Sequence, residues 1–315
     1  MVINVVNDIT VTVVIPTRSR AGDLENCLKS LWAQTVKPES IIVIDNGSTD
    51  NTQEILEKFA GIRIIRDSGA TLSQVFNLGW RHTESEIVAY LNDDAVAEED
   101  WVKEIKHWFI VLRDAAVIGG PTIDMAPRRL TQLQRNGTLL SKIGIRFYDL
   151  FVMQGRLFDY GVMTPWGAFS IGRRAPSEVS RVTCLTITNM AVRRSVLAEI
   201  GGFDESLRYM HIDGLFFTRL NEKGIALYSV PTAAVRHYVN PGGRARYAYN
   251  LAYDQAVFMH KIAPKSRKER LLLLLNIVSF FFFWAISSEV DRLSQLKVVL
   301  KGFVSGTRNF KRYSQ

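Results

Sequence analysis

Cysteine is almost absent from these 315 residues: only Cys27 and Cys184 occur, both in apolar surroundings. Two thiols build no disulfide framework and show no zinc-ligand spacing, so a secreted cross-linked scaffold and a zinc module are both excluded, and buried small residues are expected. No basic stretch followed by an apolar run opens the chain, which reads as the lack of a secretion signal and as a cytoplasm-facing protein. No compositional bias is present either. With 47% hydrophobic and 22% charged residues, the chain has the balance of a protein with a packed core, and intrinsic disorder is excluded. The glycines of a phosphate-cradling loop are missing after the first predicted strand, where Pro16-Thr17-Arg18-Ser19-Arg20 stands instead. That counts against a sugar-1-phosphate nucleotidyltransferase.

Charge is present but unevenly placed. From Gly242 to Gln315 there are 13 Lys or Arg against 4 Asp or Glu, whereas the rest of the chain has 26 against 27. All of the basic surplus lies in the last quarter, a distribution that suits an anionic membrane or a nucleic acid.

The first 120 residues alternate between two periodicities. Val11 to Pro16, Ile41 to Ile44, Ile62 to Ile65, Ile87 to Leu91 and Ala115 to Ile118 are short β-branched or apolar runs expected to be buried strands. Between them, apolar residues recur at helical spacing from Leu24 to Trp32, Thr52 to Phe59 and Thr71 to His82. Glu98, Glu99 and Asp100 are expected in the first turn of a further helix. Strands alternating with helices predict an α/β fold with a mainly parallel sheet flanked by helices. In such sheets ligands collect beyond the carboxyl ends of the strands. Thr17-Arg18, Asp45, Asp67 and Asp93-Asp94 all fall at those ends.

Asn92-Asp93-Asp94 closes a strand and precedes a helix. Paired carboxylates there offer hard oxygen ligands to Mg²⁺ or Mn²⁺ on a donor diphosphate, while the same triplet is also good turn composition. From Pro121 to Arg181, aromatic residues (Phe147, Tyr148, Phe151, Phe158, Tyr160, Trp166, Phe169) are mixed with arginines and glycines without periodicity. An acceptor-facing region and an ordinary insertion are both open readings.

The order of short motifs is more specific than any one of them. Val14-Ile15-Pro16-Thr17-Arg18 is followed by Val43-Ile44-Asp45-Asn46-Gly47-Ser48-Thr49-Asp50, then by Leu91-Asn92-Asp93-Asp94-Ala95. Thr188-Asn189-Met190-Ala191-Val192-Arg193-Arg194 and Ile200-Gly201-Gly202-Phe203-Asp204-Glu205 come after. This series resembles the family 2 inverting glycosyltransferases, with their GT-A-type fold, over residues 10 to 240.

The resemblance implies a metal-dependent transfer of sugar from a nucleoside-diphosphate sugar to an acceptor hydroxyl, with inversion. It implies that Thr17 and Asp45 line the nucleobase pocket, that Pro16 and Arg18 belong to the donor-binding set, that Asp67 and Asn77 contact the donor, and that Asp93 lies next to the ribose. It further implies that Asp94 and His237 hold Mn²⁺ or Mg²⁺, and that Asp213 is the catalytic base. Three positions depart from the family pattern. Asn92 stands where an aspartate is frequent, Ile212 where a glutamate usually precedes the base, and Leu215 where another acidic residue often follows. These departures leave a non-catalytic nucleotide-sugar-binding or scaffold protein as a rival. No Gln-x-x-Arg-Trp follows Asp213, which points to addition of single sugars.

Residues 1–240 are thus expected to form the catalytic domain and 241–315 a helical appendage. Leu271 to Ile286 is an apolar run of 16 residues interrupted by Asn276 and Ser279, preceded by Lys265-Ser266-Arg267-Lys268-Glu269-Arg270. As a helix it spans about 24 Å, less than the roughly 30 Å of a hydrocarbon core. It is expected to lie in an anionic membrane interface or to form a short hairpin with Leu296 to Val304, on the cytoplasmic face and near a lipid-linked or other glycan acceptor. Nucleic acid is not an expected partner. A helix docked on the catalytic domain, or self-association through this aromatic region, is the plain alternative.

Overall fold

The computed structural model describes residues 9–125, 160–170, 176–238, 248–262, 266–287 and 292–313, with single positions at 139, 142–143 and 146. Its chain divides into two compact units. The first comprises Met1–Met125, Ala175–Phe203 and Arg219–Tyr238; the second comprises Ala126–Arg174, Asp204–Thr218 and Val239–Gln315.

The elements run in the order β1 (Val11–Thr17), α1 (Ala21–Trp32), β2 (Ser40–Asp45), α2 (Thr52–Glu57), β3 (Arg63–Arg66), α3 (Leu72–Arg81), β4 (Ile87–Leu91), β5 (Ala95–Ala97), α4 (Trp101–Val111), β6 (Ala115–Gly119) and β7 (Thr122–Asp124). There follow β8 (Val162–Met163) and β9 (Phe169–Ser170), a short hairpin in the second unit, then β10 (Ser180–Val182), β11 (Asn189–Arg193), α5 (Arg194–Ile200), α6 (Ile212–Glu222), β12 (Ala226–Ser229) and β13 (Val235–His237). Three helices end the chain: α7 (Ala248–Lys261), α8 (Arg267–Ser287) and α9 (Arg292–Tyr313).

In the first unit, eight strands form one sheet in the order β10-β12-β6-β11-β4-β1-β2-β3. The strands β4, β1, β2 and β3 are parallel neighbours, and β12 is parallel to β6. The strand β11 lies antiparallel between β4 and β6, and β10 is antiparallel to β12. The mainly parallel sheet and its flanking helices are those expected. The reversal at β11 comes from the Thr188–Arg194 motif: Met190, Ala191 and Val192 are fully or almost fully buried, which fits a strand covered on both faces. Asn189 seals its start by donating to Ala233 O at 2.8 Å and accepting from the Trp101 indole at 2.8 Å.

Burial of the β-branched strand residues against α1 and α4 forms the core, with Val11, Val13, Ile15, Val43, Leu91, Leu24, Leu28, Trp101 and Ile105 all within it. This apolar area removed from water is the main favourable term. Both cysteines are buried, and neither forms a disulfide. The helix α3 starts at Thr71, whose hydroxyl and Gln74 form a reciprocal capping box. One local expectation is corrected: Glu98, Glu99 and Asp100 precede α4, whose first helical residue is Trp101. The Asp100 carboxylate accepts from Thr35 and pairs with Lys103 instead of meeting the helix dipole from within.

In the second unit, α9 lies along α7 at close range. A Cβ on Gly302 would stand 2.3 Å from Tyr249 O, and one on Gly306 2.4 Å from Tyr253 O. Ala248, Leu251, Ala252, Phe280 and Val299 make a small apolar core. The helix α8 is longer than its apolar run because the basic residues from Arg267 onward belong to it. No helix among the described residues is long and apolar enough to cross a membrane. The aromatic residues Phe147, Tyr148, Phe151 and Phe158 of the expected acceptor-facing region lie outside the described residues.

Candidate active site

Parallel register brings the first set of expected residues side by side. Thr17 pairs with Asp45 across β1 and β2, and Asp45 with Arg66 across β2 and β3. The Asp67 N–H, one residue on, donates to Asp45 O at 3.1 Å. The loops beyond these strand ends are tied together. Asp45 Oδ1 accepts from the N–H of Ser48, three residues on, at 2.9 Å. Asn46 donates to Ala70 O at 2.9 Å and accepts from the Gly69 N–H at 3.1 Å. The Ser19 N–H donates to Ser48 Oγ at 2.9 Å. Thr17 and Asp45 are buried and Asp67 half-buried, in a row along one edge of the sheet.

The acidic pair at the end of β4 adjoins this row. Asp93 and Asp94 are 6% and 8% exposed. Thr17 Oγ1 donates to Asp93 Oδ2 at 2.8 Å. The Arg20 guanidinium lies 3.6 Å from Asp93 and 3.0 Å from Asp94. Burial pushes the Asp93 carboxyl up to about 7; Arg20 opposes that rise and the charge of Asp94 adds to it. Against the same burial penalty, His237 and Arg20 hold Asp94 below the usual carboxylate range. Two neighbouring carboxylates therefore ionise at well-separated pH, an arrangement frequent at functional sites.

His237 arrives from a separate, three-stranded sheet ordered β5-β13-β7. Its register sets His237 opposite Ala95 on one side and Asp124 on the other. His237 Nδ1 lies 3.1 Å from Asp124 Oδ1, and Nε2 lies 3.2 Å from Asp94 Oδ1. The Tyr238 N–H donates to Asp94 O at 2.8 Å, fixing the strand to the acidic loop. Burial draws the imidazole pKa down, but Asp124 and Asp94 outweigh it and raise the group to about 9.

Asp94 Oδ1 is nonetheless buried without a directed hydrogen bond. It stands 3.2 Å from His237 Nε2 as an ion pair. A buried carboxylate oxygen that lacks a directed donor, beside an imidazole braced by a second carboxylate, is a donor set that suits Mn²⁺ or Mg²⁺. The residues fit a divalent cation in chemistry. Among the described residues no group of three or more His, Cys, Asp or Glu is already arranged to hold a metal ion, and the imidazole must give up its proton to become a ligand.

The remaining expected residues lie elsewhere. Pro16 is within β1, and the Arg18 side chain is exposed; Arg20 is the arginine that reaches the carboxylates. Asn77 is fully buried, and its carboxamide bonds to the Phe203 backbone and the Trp80 indole. Asn92 donates to Thr188 Oγ1 at 3.1 Å, a link between β4 and β11.

Asp213 sits in the second unit, half-buried in the first turn of α6, with the Gly214 N–H donating to its Oδ1 at 2.9 Å. The neighbouring departures, Ile212 and Leu215, are buried apolar residues at 3% and 4% exposure. Their positions take packing side chains, not charged ones.

Sequence reasoning missed Arg20 and Asp124. Asp124 ends Thr122-Ile123-Asp124 just beyond the fifth strand, so the strand-end rule that found Asp45 reaches it as well. Arg20 stands just past the Pro16-Thr17-Arg18 motif, and nothing in the local pattern marks it.

Comparison with known proteins gives a family and a fold. The model of the family described as Glycosyl transferase family 2 matches residues 12–180. An N-acetylglucosaminyl-diphospho-decaprenol L-rhamnosyltransferase of Mycobacterium tuberculosis is 29% identical over 264 residues, covering 78% of this chain and 82% of the relative. The O-antigen chain rhamnosyltransferase RfbN of Salmonella typhimurium is 25% identical over 260 residues, covering 81% and 73%. Among solved structures, the mannosyltransferase PcManGT of Pyrobaculum calidifontis, in complex with GDP-Man and Mn²⁺, superposes with a TM-score of 0.55 at 15% identity. It covers 95% of this chain and 75% of that one. The shared architecture is the GT-A fold.

Proposed function

The chain belongs to glycosyl transferase family 2 and is a glycosyltransferase, and we propose that it moves a single sugar from a nucleoside-diphosphate sugar to a hydroxyl of a lipid-linked glycan, with inversion at the anomeric carbon. The observation that carries this reading is the contiguous row Thr17, Asp45, Asp67, Asp93 and Asp94 at the ends of four parallel strands, where α/β sheets bind nucleotides. In this reading Thr17 and Asp45 border the base, Asp67 contacts the donor and Asp93 accepts from the ribose. Asp94 and His237 are the side chains that hold a divalent cation, which when bound neutralises charge on the departing diphosphate. Arg20 balances the two carboxylates beside it.

Asp213 takes the proton of the acceptor hydroxyl as that oxygen attacks the anomeric carbon, on the face opposite the leaving group. Two rhamnosyltransferases among the relatives favour a rhamnosyl donor, and the M. tuberculosis enzyme favours a polyprenyl-diphosphate-linked acceptor. Such an acceptor is held in a membrane, and the enzyme then works at its cytoplasmic face.

Replacing the base tests the catalytic reading. Asp213→Asn is expected to abolish transfer while retaining donor affinity by calorimetry, and NMR of the wild-type product is expected to show the inverted anomer. A retained anomeric configuration, or an Asp213→Asn enzyme that turns over normally, contradicts it.

A further inference from the structure

The helix α8 is built inside out. Its two polar members within the apolar run, Asn276 and Ser279, are each 2% exposed, as is Phe280. Asn276 Oδ1 accepts from Gln255 Nε2 of α7 at 3.3 Å. Leu271, Leu274 and Val278, by contrast, are 56%, 53% and 54% exposed. At 3.6 residues per turn, Arg267, Leu271, Leu274 and Val278 fall within about 60° of one another, and Asn276 points the opposite way. A water-facing helix has the reverse arrangement.

The N-terminal turn of the same helix carries exposed Arg267, Lys268 and Arg270. The intervening Glu269 is committed to a reciprocal cap: its carboxylate accepts from the Ser266 N–H at 3.1 Å, and its own N–H donates to Ser266 Oγ at 3.1 Å. The turn therefore presents a positive surplus immediately beside the outward leucines.

We infer that this face of α8 docks on an anionic phospholipid surface: Leu271, Leu274 and Val278 enter the acyl boundary while Arg267, Lys268 and Arg270 meet headgroup phosphates. The helix lies in the interface, since no described helix can cross a membrane. A second copy of this chain would satisfy the apolar stripe but would set the basic turn against another basic region. The lipid surface answers both halves of the face. Its purpose, delivery of the enzyme to a lipid-linked acceptor, rests on the function proposed above; its chemistry does not.

Sedimentation of the full chain with vesicles tests this, using phosphatidylcholine alone and phosphatidylcholine mixed with phosphatidylglycerol. Wild type is expected to pellet with the mixed vesicles at least about tenfold more strongly than with the neutral ones. The triple variant Leu271→Gln, Leu274→Gln, Val278→Gln is expected to stay in the supernatant while keeping the wild-type circular dichroism spectrum. The triple variant Arg267→Ala, Lys268→Ala, Arg270→Ala is expected to lose the preference for phosphatidylglycerol. Wild-type protein that remains in the supernatant with mixed vesicles overturns the inference. So does a dimer by analytical ultracentrifugation that the glutamine variant converts to monomer, because the face then belongs to a second copy. Sugar transfer is measured separately. Wild type that binds vesicles yet hydrolyses and transfers no donor sinks the catalytic reading and leaves the lipid face standing.

Discussion

Asn77 holds Phe203 by both of its backbone groups: Asn77 Nδ2 donates to Phe203 O at 2.8 Å, and Asn77 Oδ1 accepts from the Phe203 N–H at 2.9 Å. The carboxamide acts as a substitute strand neighbour for the Gly201-Gly202-Phe203 turn. Gly202 has a φ of +70°, and a Cβ there would stand 2.3 Å from Asn77 Oδ1. Asn77→Ala leaves a buried N–H and a buried C=O without these partners, at a cost of about 2–4 kcal/mol. Gly202→Ala adds left-handed strain and a clash, and is expected to be at least as damaging. Urea unfolding of the two variants measures both losses.

Asp124 braces the far nitrogen of His237 at 3.1 Å. Removing such a partner lowers metal affinity by roughly 10–100-fold in comparable sites. Asp124→Ala is therefore expected to keep its fold and to require a correspondingly higher Mn²⁺ concentration for half-maximal transfer. Unchanged Mn²⁺ dependence would mean that His237 is not a ligand.

His211 gives the stability of the protein an acid limb. Its ring is buried, stacked on Phe258 with centroids 4.3 Å apart, and Nε2 bonds to Gln255 at 2.8 Å. Burial lowers its pKa from 6.5 to about 4, against a small opposing rise from Gln255. The folded state therefore binds the proton less tightly than the unfolded chain. The His211 contribution is complete above pH 6.5, falls as pH drops from 6.5 to about 4, and is constant below. The loss approaches about 3 kcal/mol. His211→Asn, which tolerates the φ of +60° at this position, is expected to flatten unfolding free energy between pH 6.5 and 4.

The strand-end residues were legible from local pattern, His237 from the family resemblance only, and Arg20 and Asp124 from neither. Thr17, Asp45, Asp67 and Asp93-Asp94 each end a short β-branched run, so local pattern alone aligned them. Asp124 and His237 are 113 positions apart and meet because β13 pairs with β7, a register that no spacing announces. Asn77 was named from the family resemblance alone, and its bonds to a backbone turn 126 positions away are a pairing that no local pattern shows. In α8, the apolar residues of Leu271 to Ile286 were evident, whereas the outward direction of the leucines required the burial of Asn276 to be seen.

Asp254 shows the same dependence on long-range pairing. Its carboxylate, fully buried, accepts the N–H groups of Arg208, Tyr209 and Met210 at 2.8, 2.6 and 2.7 Å. It thereby fixes the loop that leads to α6 and Asp213. Asp254→Ala frees three N–H groups and is expected to lower the cooperativity of unfolding and the turnover number together, while leaving the Michaelis constant for donor near wild type. A change confined to donor affinity would contradict this positioning role. Steady-state kinetics on the folded fraction separates the two.

The central claim is that the strand-end carboxylates hold a nucleoside-diphosphate sugar through a divalent cation. Release of nucleoside diphosphate from UDP-, GDP- and dTDP-sugars, each with Mn²⁺, with Mg²⁺ and with EDTA, for wild type and Asp94→Ala, tests it most directly. The account predicts release from one donor class with a divalent cation, none with EDTA, and none from Asp94→Ala. Equal release with EDTA, or from Asp94→Ala, would contradict it.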